Sequence, residues 1–298
     1  MAKKKQLIIP IFIPQHGCPH QCVFCNQPRI TGKEKLPDTT EVASIIDAYL
    51  NTWKGSGKKE IAFYGGSFTG IDKDVQEDFL IAAHRFVITG SIDSIRISTR
   101  PDYITEQGLA LLKKYKVETV ELGAQSMVDE VLRLSGRGHT AEDTAASVSL
   151  LKKYGFKVGL QFMPGLPGDT RDTILYTGAK IIELQPDFVR IYPTIVVKDT
   201  PLEKMYLAGS YTPWSLGEMI DIGKELVSLF IDRKIPIIRF GLQSNESMEQ
   251  GIVAGPYHPS FRELVHAEKC PSAALPSSLR CSHTLYGRTA VSPHAARS

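Results

Sequence analysis

The stretch EIAFYGGSF (Glu60–Phe68) has the pattern of a buried strand that ends in two glycines and a serine. The same order, an apolar strand followed by small or polar residues, recurs along the chain. It is found in SIRISTRPD (Ser94–Asp102), VETVELGAQS (Val117–Ser126) and FKVGLQFMPGLPG (Phe156–Gly168). Because helical patterns separate these strands, we expect six or seven βα units that form a parallel sheet with helices outside it.

A doubly wound sheet and a TIM-like barrel both satisfy this alternation. The glycine and polar motifs follow many strand ends, which favours the mouth of a barrel over a single switch point. We therefore predict an α/β protein with a partial or complete parallel β/α (TIM-like) barrel over residues 1–265. Residues 266–298 are rich in Ser, Ala and Pro without a sustained period, and they are predicted to be a disordered tail or an atypical ending.

Two helix starts carry a capping-box pattern, in which a cap residue precedes an acidic residue by three positions. Asp38 and Glu41 open one predicted helix, and Thr140 and Asp143 open another, which spans Thr140–Tyr154. The reciprocal hydrogen bonds of such a box satisfy backbone groups that a helix start otherwise leaves unpaired.

The composition is that of an ordinary globular protein, with 42% hydrophobic and 22% charged residues in 298. A net charge of +3 neither identifies nor excludes a nucleic-acid binder. The sequence shows no secretory signal and no run near the ~18 apolar residues of a membrane span, so we expect a cytoplasmic protein without a membrane partner.

Three of the five cysteines lie within eight residues, in GCPHQCVFCNQ (Gly17–Gln27). The C-x3-C-x2-C spacing of Cys18, Cys22 and Cys25 favours a metal over disulfides in a chain of this size. Structural zinc needs four protein ligands, and the candidates for the fourth are His16, His20 and a residue distant in the sequence. A cubane iron–sulfur cluster on three thiolates leaves one iron open for substrate or cofactor.

The cysteine spacing, with the aromatic Phe24 just before the last cysteine, resembles the signature of the radical S-adenosylmethionine superfamily. This resemblance implies a [4Fe-4S] cluster on Cys18, Cys22 and Cys25, with S-adenosylmethionine on the open iron. It further implies reductive cleavage of the cofactor to a 5′-deoxyadenosyl radical that abstracts hydrogen from a substrate.

The resemblance also assigns cofactor contacts. Carbonyls of the glycine motif would receive the methionyl amino group, while Gln125 and Arg137 would contact the ribose and the carboxylate. Ser98 stands where related enzymes often carry an acid, and Gly165–Gly168 would border the adenine. The predicted cofactor-binding residues are Phe24, Gly65, Gly66, Ser67, Ser98, Gln125, Arg137 and Gln161.

Each of four polar residues near these motifs has two alternative interpretations. Arg100 and Asp102 form either a surface pair or part of the site, and His139 is either a helix-start residue or a site residue. Arg190 faces either the barrel mouth or the interior packing.

The motifs from Cys18 to Thr194 together resemble the radical domain of the Elongator catalytic subunit. That resemblance makes tRNA a candidate substrate, with an external one-electron donor and a separate protein as further partners. We expect no acetyltransferase domain in the residues after the barrel. The alternatives are a redox enzyme like oxygen-independent coproporphyrinogen oxidase and a non-enzymatic, zinc-stabilised RNA-binding protein.

Overall fold

A computed structural model describes residues 6–13, 18, 22–26, 35–242 and 246–267 of the chain. Seven parallel strands form one sheet in the order β1-β2-β3-β4-β5-β6-β8. These strands are β1 (Leu7–Ile13), β2 (Lys59–Gly65), β3 (Ser94–Thr99), β4 (Val117–Gln125), β5 (Lys157–Phe162), β6 (Phe188–Ile191) and β8 (Ile237–Phe240).

Helices connect these strands as the βα alternation predicts. The helices are α1 (Thr39–Thr52), α2 (Lys73–Ile88), α3 (Glu106–Lys114), α4 (Asp129–Leu134), α5 (Ala141–Lys153), α6 (Arg171–Glu183), α7 (Pro201–Leu207), α8 (Leu216–Asp232), α9 (Glu246–Gly251) and α10 (Phe261–His266). Two short strands, β7 (Val196–Val197) and β9 (Ile252–Ala254), pair antiparallel in a separate small sheet. No helix in the described ranges is both long and apolar enough to cross a membrane.

The strand order follows the chain order, which distinguishes a singly wound barrel from a doubly wound sheet. The curled sheet is an open half-barrel, because β1 and β8 do not pair within the described residues. The prediction of a partial barrel is therefore confirmed, and the described strands do not close into a complete barrel. The predicted tail, residues 266–298, lies outside the described residues except for its first two positions, so the domain boundary stays a prediction.

The two predicted capping boxes are present. Asp38 accepts hydrogen bonds from the backbone of Thr40 and Glu41, and the Glu41 side chain accepts one from the Asp38 backbone. Thr140 and Asp143 make the corresponding reciprocal bonds at the start of α5. These local signals were readable because each joins residues only three positions apart.

The two faces of the sheet differ in chemistry because neighbouring strand residues point to opposite sides. In β2, Ile61 and Phe63 pack in the main apolar core with the helices, whereas Glu60 and Tyr64 lie on the other face. In β1 the residues Leu7, Ile9, Ile11 and Ile13 are buried and those between them are half-buried. The helix-facing side is therefore the hydrophobic core, and the concave side is left to polar groups.

Gly159 in β5 allows the Phe188 ring to lie against the concave face. A Cβ atom at this position would stand 2.2 Å from the Phe188 ring. Gly159→Ala should lower the free energy of unfolding by roughly 1–3 kcal/mol, since an overpacked ring must move. Gly217→Ala in α8 is the control, because that Cβ position faces open space and alanine favours the helix. Denaturant unfolding measures both variants, and equal stabilities would contradict this packing.

Candidate functional site

The cysteine segment lies between β1 and α1, at the carboxyl ends of the strands. Cys22 is buried, and Cys18 and Cys25 are half-buried. The backbone N–H of Cys25 donates to the carbonyl of Cys22 (3.1 Å), so these two residues share a tight turn. The Cys18 thiol lies 3.7 Å from the Ser67 hydroxyl, to which it donates. The structure thus brings the first cysteine to the glycine motif after β2.

The glycine motif itself is held against the end of β1. Gly65 has φ +105, and a Cβ there would stand 2.8 Å from the carbonyl oxygen of Ile13. The N–H of Gly66 donates to the same carbonyl (2.6 Å). Only glycine fits this close approach without strain, so Gly65 carries Gly66 and Ser67 to the side of Cys18.

Arg137 joins the second cysteine to the end of β4. Its Nη1 donates to the Cys22 sulfur (3.4 Å), and its Nη2 donates to the carbonyl of Gly123 (2.7 Å). The guanidinium is nine-tenths buried, and its Nε has no hydrogen-bond partner among the described residues. A buried cation with an unused donor beside a thiol is suited to an anionic group that approaches from the mouth.

Gln125 has the backbone conformation of a strained site residue. Its φ is +67, it follows a break in the β4–β5 register, and its buried Oε1 has no partner in the described part of the chain. A left-handed conformation costs a residue with a side chain of order 1–3 kcal/mol and tends to occur at functional sites. A Cβ on Gly123 would stand 2.7 Å from the Gln125 amide and 2.9 Å from Arg137. Gly123 therefore leaves the space in which both side chains meet.

The other predicted cofactor residues are placed less closely together. The Ser98 hydroxyl donates weakly to the Phe63 carbonyl (3.4 Å). Gln161 is half-buried in β5, in register between Gly123 and Arg190. The Phe24 ring packs on an apolar cluster outside the sheet, which is described below. The roles of these residues stay predictions.

The three cysteine thiols have the chemistry that a cluster requires, although their described side chains are not arranged around a common metal position. No three His, Cys, Asp or Glu side chains are grouped closely enough to hold a metal ion within residues 6–13, 18, 22–26, 35–242 and 246–267. His16 and His20, the candidate zinc ligands, lie outside these ranges. The orphaned polar atoms of Arg137 and Gln125 beside Cys22 fit a cofactor that brings its own carboxylate and hydroxyl groups.

Arg100 is a second buried cation. Arg100 is 2% exposed and makes a two-point pair with Asp102 (Nε and Nη2, each 2.9 Å), so this pair is not on the surface at its arginine end. The His139 ring contacts the carbonyl of Ala124 through Nε2 (3.2 Å), and its Nδ1 has no described partner. Burial, with help from Arg137 and Arg100, lowers the pKa of His139 to about 3.

The concave face carries a buried chain of four charges that the sequence analysis did not identify as a unit. Glu60 pairs with Arg96 (2.7 Å), Arg96 with Glu121 (2.8 Å) and Glu121 with Arg190 (2.5 Å). The Tyr64 hydroxyl donates to Glu121 (3.1 Å) and accepts from Arg190 (2.9 Å). Arg190 therefore faces the barrel interior. The sequence did contain one indication of this group of charges: its residues alternate along their strands with the apolar residues of the core, and therefore share the opposite face of the sheet.

This charge ladder, Glu60–Arg96–Glu121–Arg190, is balanced. Burial opposes ionisation of Glu60, but Arg96 and Lys58 outweigh it, so the pKa of Glu60 is lowered. Burial also opposes the charge on Arg190, but Glu121 and the neighbouring tyrosines outweigh it, so the pKa of Arg190 is raised. Burial and Glu121 raise the pKa of Tyr64. The ladder thus holds its own ionised groups in pairs, next to the neutral phenol of Tyr64.

Comparison with known proteins identifies the class. A model of the radical SAM superfamily matches residues 12–179, more than half of the 298 residues, and a model of the radical SAM C-terminal domain matches residues 186–269. The chain belongs to the radical SAM superfamily, and its half-barrel is the α/β fold of that superfamily.

One particular relative is a tRNA-modifying enzyme by its name, and two others carry the names Elongator complex protein 3 and Elp3. The chain is 30% identical over 257 residues to a tRNA uridine(34) acetyltransferase from Methanocaldococcus jannaschii, covering 72% of this chain and 47% of that protein. It is 30% identical over 269 residues to Elongator complex protein 3 from Saccharomyces cerevisiae, covering 74% and 48%. An archaeal Elp3 structure from Methanocaldococcus infernus matches with a TM-score of 0.71 at 25% identity, covering 87% and 61%. The chain spans about half the length of these two curated relatives.

The pKa of His139 can be checked directly by NMR. Because burial and the two arginines keep the ring neutral, its carbon-bound protons should not shift between pH 7.5 and 5.0, whereas an ordinary histidine titrates near 6.5. A His139→Gln variant assigns the resonances. Since the pKa is lower in the fold than in the unfolded chain, this residue should reduce stability as the pH falls from 6.5 towards 3. A titration midpoint near 6.5 would contradict the burial.

Proposed function

We propose that this chain is a radical S-adenosylmethionine enzyme whose Cys18, Cys22 and Cys25 hold a [4Fe-4S] cluster. When bound, such a cluster supplies the electron that cleaves S-adenosylmethionine to methionine and a hydrogen-abstracting 5′-deoxyadenosyl radical. Membership of the superfamily supports this proposal. The observation that carries it is the contact of Arg137 with both Cys22 and Gly123, beside the orphaned Oε1 of Gln125.

The chain's own residues would bind and orient the cofactor. The guanidinium of Arg137 pairs with the cofactor carboxylate, because its planar donors match two carboxylate oxygens. The strained amide of Gln125 offers a buried acceptor to a ribose hydroxyl. The backbone of Gly65 and Gly66 offers carbonyl oxygens to the ammonium group, and no Cβ blocks the approach at either residue.

The substrate we propose is tRNA, with hydrogen abstraction from a nucleoside as a step of its modification. The name of one relative, a tRNA uridine(34) acetyltransferase, supports this substrate class. Both curated relatives are about twice as long as the part that this chain matches. An external one-electron donor supplies the reducing electron, and a separate protein partner completes the modification. The two acids and two arginines of the charge ladder pair with one another, so these four residues line the concave face with polar groups but add no net charge to it.

The cluster is tested by anaerobic reconstitution with iron and sulfide. We expect a brown protein that releases 5′-deoxyadenosine on reduction, and loss of both properties when Cys18, Cys22 or Cys25 is replaced by Ala. Cys270→Ala and Cys281→Ala are matched controls that should retain both. Colourless protein with stoichiometric zinc would overturn the proposal in favour of a zinc-stabilised binding protein.

Binding of S-adenosylmethionine tests the role of Arg137. Arg137→Met should raise the dissociation constant roughly tenfold or more, since a charged hydrogen bond contributes about 1.5–3 kcal/mol. Arg133→Met is the control, because Arg133 is exposed and pairs only with Glu130 among its described contacts. Equilibrium dialysis of the reconstituted protein measures both. Equal affinities of the two variants would remove Arg137 from the cofactor site.

The substrate class is tested by anaerobic purification followed by RNA sequencing and mass spectrometry of bound small molecules. Enrichment of tRNA supports the proposal. A bound tetrapyrrole without RNA would contradict it and would favour the chemistry of a coproporphyrinogen oxidase.

A further inference from the structure

A small apolar cluster outside the barrel core contacts the cysteine segment. Val196, Leu202 and Tyr211 are its buried centre, and they come from β7, α7 and the residues after α7. We name residues 194–214 together with β9 (Ile252–Ala254) the β7–α7 module. The partly buried residues that pack on its centre are Val23, Phe24, Met205, Tyr206, Val253 and Ala254. Two of these, Val23 and Phe24, lie between the second and third cysteines.

Backbone hydrogen bonds fix the same segment on two sides. The N–H of Leu202, in the first turn of α7, donates to the carbonyl of Val23 (2.8 Å). The N–H of Val23 donates to the carbonyl of Ser135 after α4 (3.0 Å). The amide of Asn26 donates to the carbonyl of Lys198 in the module (3.0 Å). The turn that carries Cys22 and Cys25 is therefore attached to the module by packing and by hydrogen bonds.

The opposite side of the module contacts the glycine–proline turn after β5. The Tyr211 hydroxyl, on a side chain 8% exposed, donates to the carbonyl of Gly165 (2.7 Å). The N–H of Thr194 donates to the carbonyl of Pro164 (2.9 Å). A Cβ on Gly165, which has φ +84, would stand 3.4 Å from the Trp214 ring.

Residues that follow the turn, before and within the start of α6, also hold it in place. The Asp169 carboxylate accepts from the N–H of Gly165 (2.9 Å) and from the Thr173 hydroxyl (2.5 Å). Both polar backbone groups of Gly165 are thus occupied by side chains, Asp169 on one side and Tyr211 on the other. The module therefore supplies one of the two side chains that hold Gly165 in place.

We propose that the β7–α7 module is a clamp that holds the cysteine segment and the Pro164–Gly168 turn in fixed relative positions. Leu202 and Tyr211 are its positioning residues: Leu202 acts on the cysteine segment through Val23, and Tyr211 acts on the turn through Gly165. This proposal rests on the proposed function only in so far as these two loops bind the cluster and the adenine. The attachment itself is a property of the metal-free chain.

The metal-free protein therefore supplies the first test, the alkylation rate of Cys22 by N-ethylmaleimide, resolved by site with mass spectrometry. Leu202→Ala should raise this rate roughly tenfold or more, because it removes the centre of the apolar contact to Val23 and Phe24. Leu202→Met should restore most of the protection. Leu207→Ala in the same helix is the control, because Leu207 is 73% exposed. A Leu202→Ala rate equal to that of Leu207→Ala would overturn the clamp.

Tyr211→Phe tests whether the module acts as one body. This variant loses one hydrogen bond at the far side of the module, and it should still raise the Cys22 alkylation rate by about two- to fivefold. Tyr176→Phe, an exposed tyrosine of α6, is the control. An unchanged rate in Tyr211→Phe would overturn the proposal, since the two loops would then be held independently.

The reconstituted protein separates this proposal from the proposed function. If wild-type protein binds S-adenosylmethionine, Tyr211→Phe should raise its dissociation constant by about fivefold while the iron content stays unchanged. If the wild type forms no cluster, the proposed function fails, and the alkylation rates still decide the clamp. An unchanged dissociation constant in Tyr211→Phe would overturn the role of Tyr211 in positioning the turn.

Discussion

The hydrogen bond from Arg190 to the Tyr64 hydroxyl crosses the inside of the sheet from β6 to β2. Three strands separate β6 from β2 in the sheet order, so this contact requires the sheet to curl. Glu121, from the strand midway between them, accepts from both side chains and holds the crossing in place. The charge ladder can form only in a curled sheet, and its contacts stabilise the curvature to which the ordinary twist of parallel strands contributes.

Curvature brings the carboxyl ends of distant strands to one mouth. Cys18 meets Ser67 after β2, and Cys22 meets Arg137 and the end of β4. The cysteine segment supplies the thiols, while the strand ends supply glycine backbone and buried polar atoms without partners. A flat sheet would keep these groups apart, because neighbouring strands are already about 4.7–4.9 Å from each other.

Much of this arrangement is local in sequence and was readable there. The strand ends, the capping boxes at Asp38 and Thr140, and the βα alternation all depend on neighbours within a few residues. The pairing within the charge ladder was not predicted, because the alternation of a strand shows on which face a charge lies but not which charge on another strand it contacts. The paired residues lie 25 to 69 residues apart in the chain. The β7–α7 module was missed for the same reason, since β7 has two residues and its partner strand follows much later.

The sequence by itself determined the class of fold, the thiol spacing and the strand ends at which polar groups gather. These features follow from short-range periodicity and from residue chemistry, which a chain carries before it folds. Only the tertiary structure decided that the barrel stays open, that Arg137 reaches Cys22, and that Phe24 packs on the module. These contacts join segments more than a hundred residues apart, and burial with hydrogen-bond satisfaction selects them only when the whole sheet is formed.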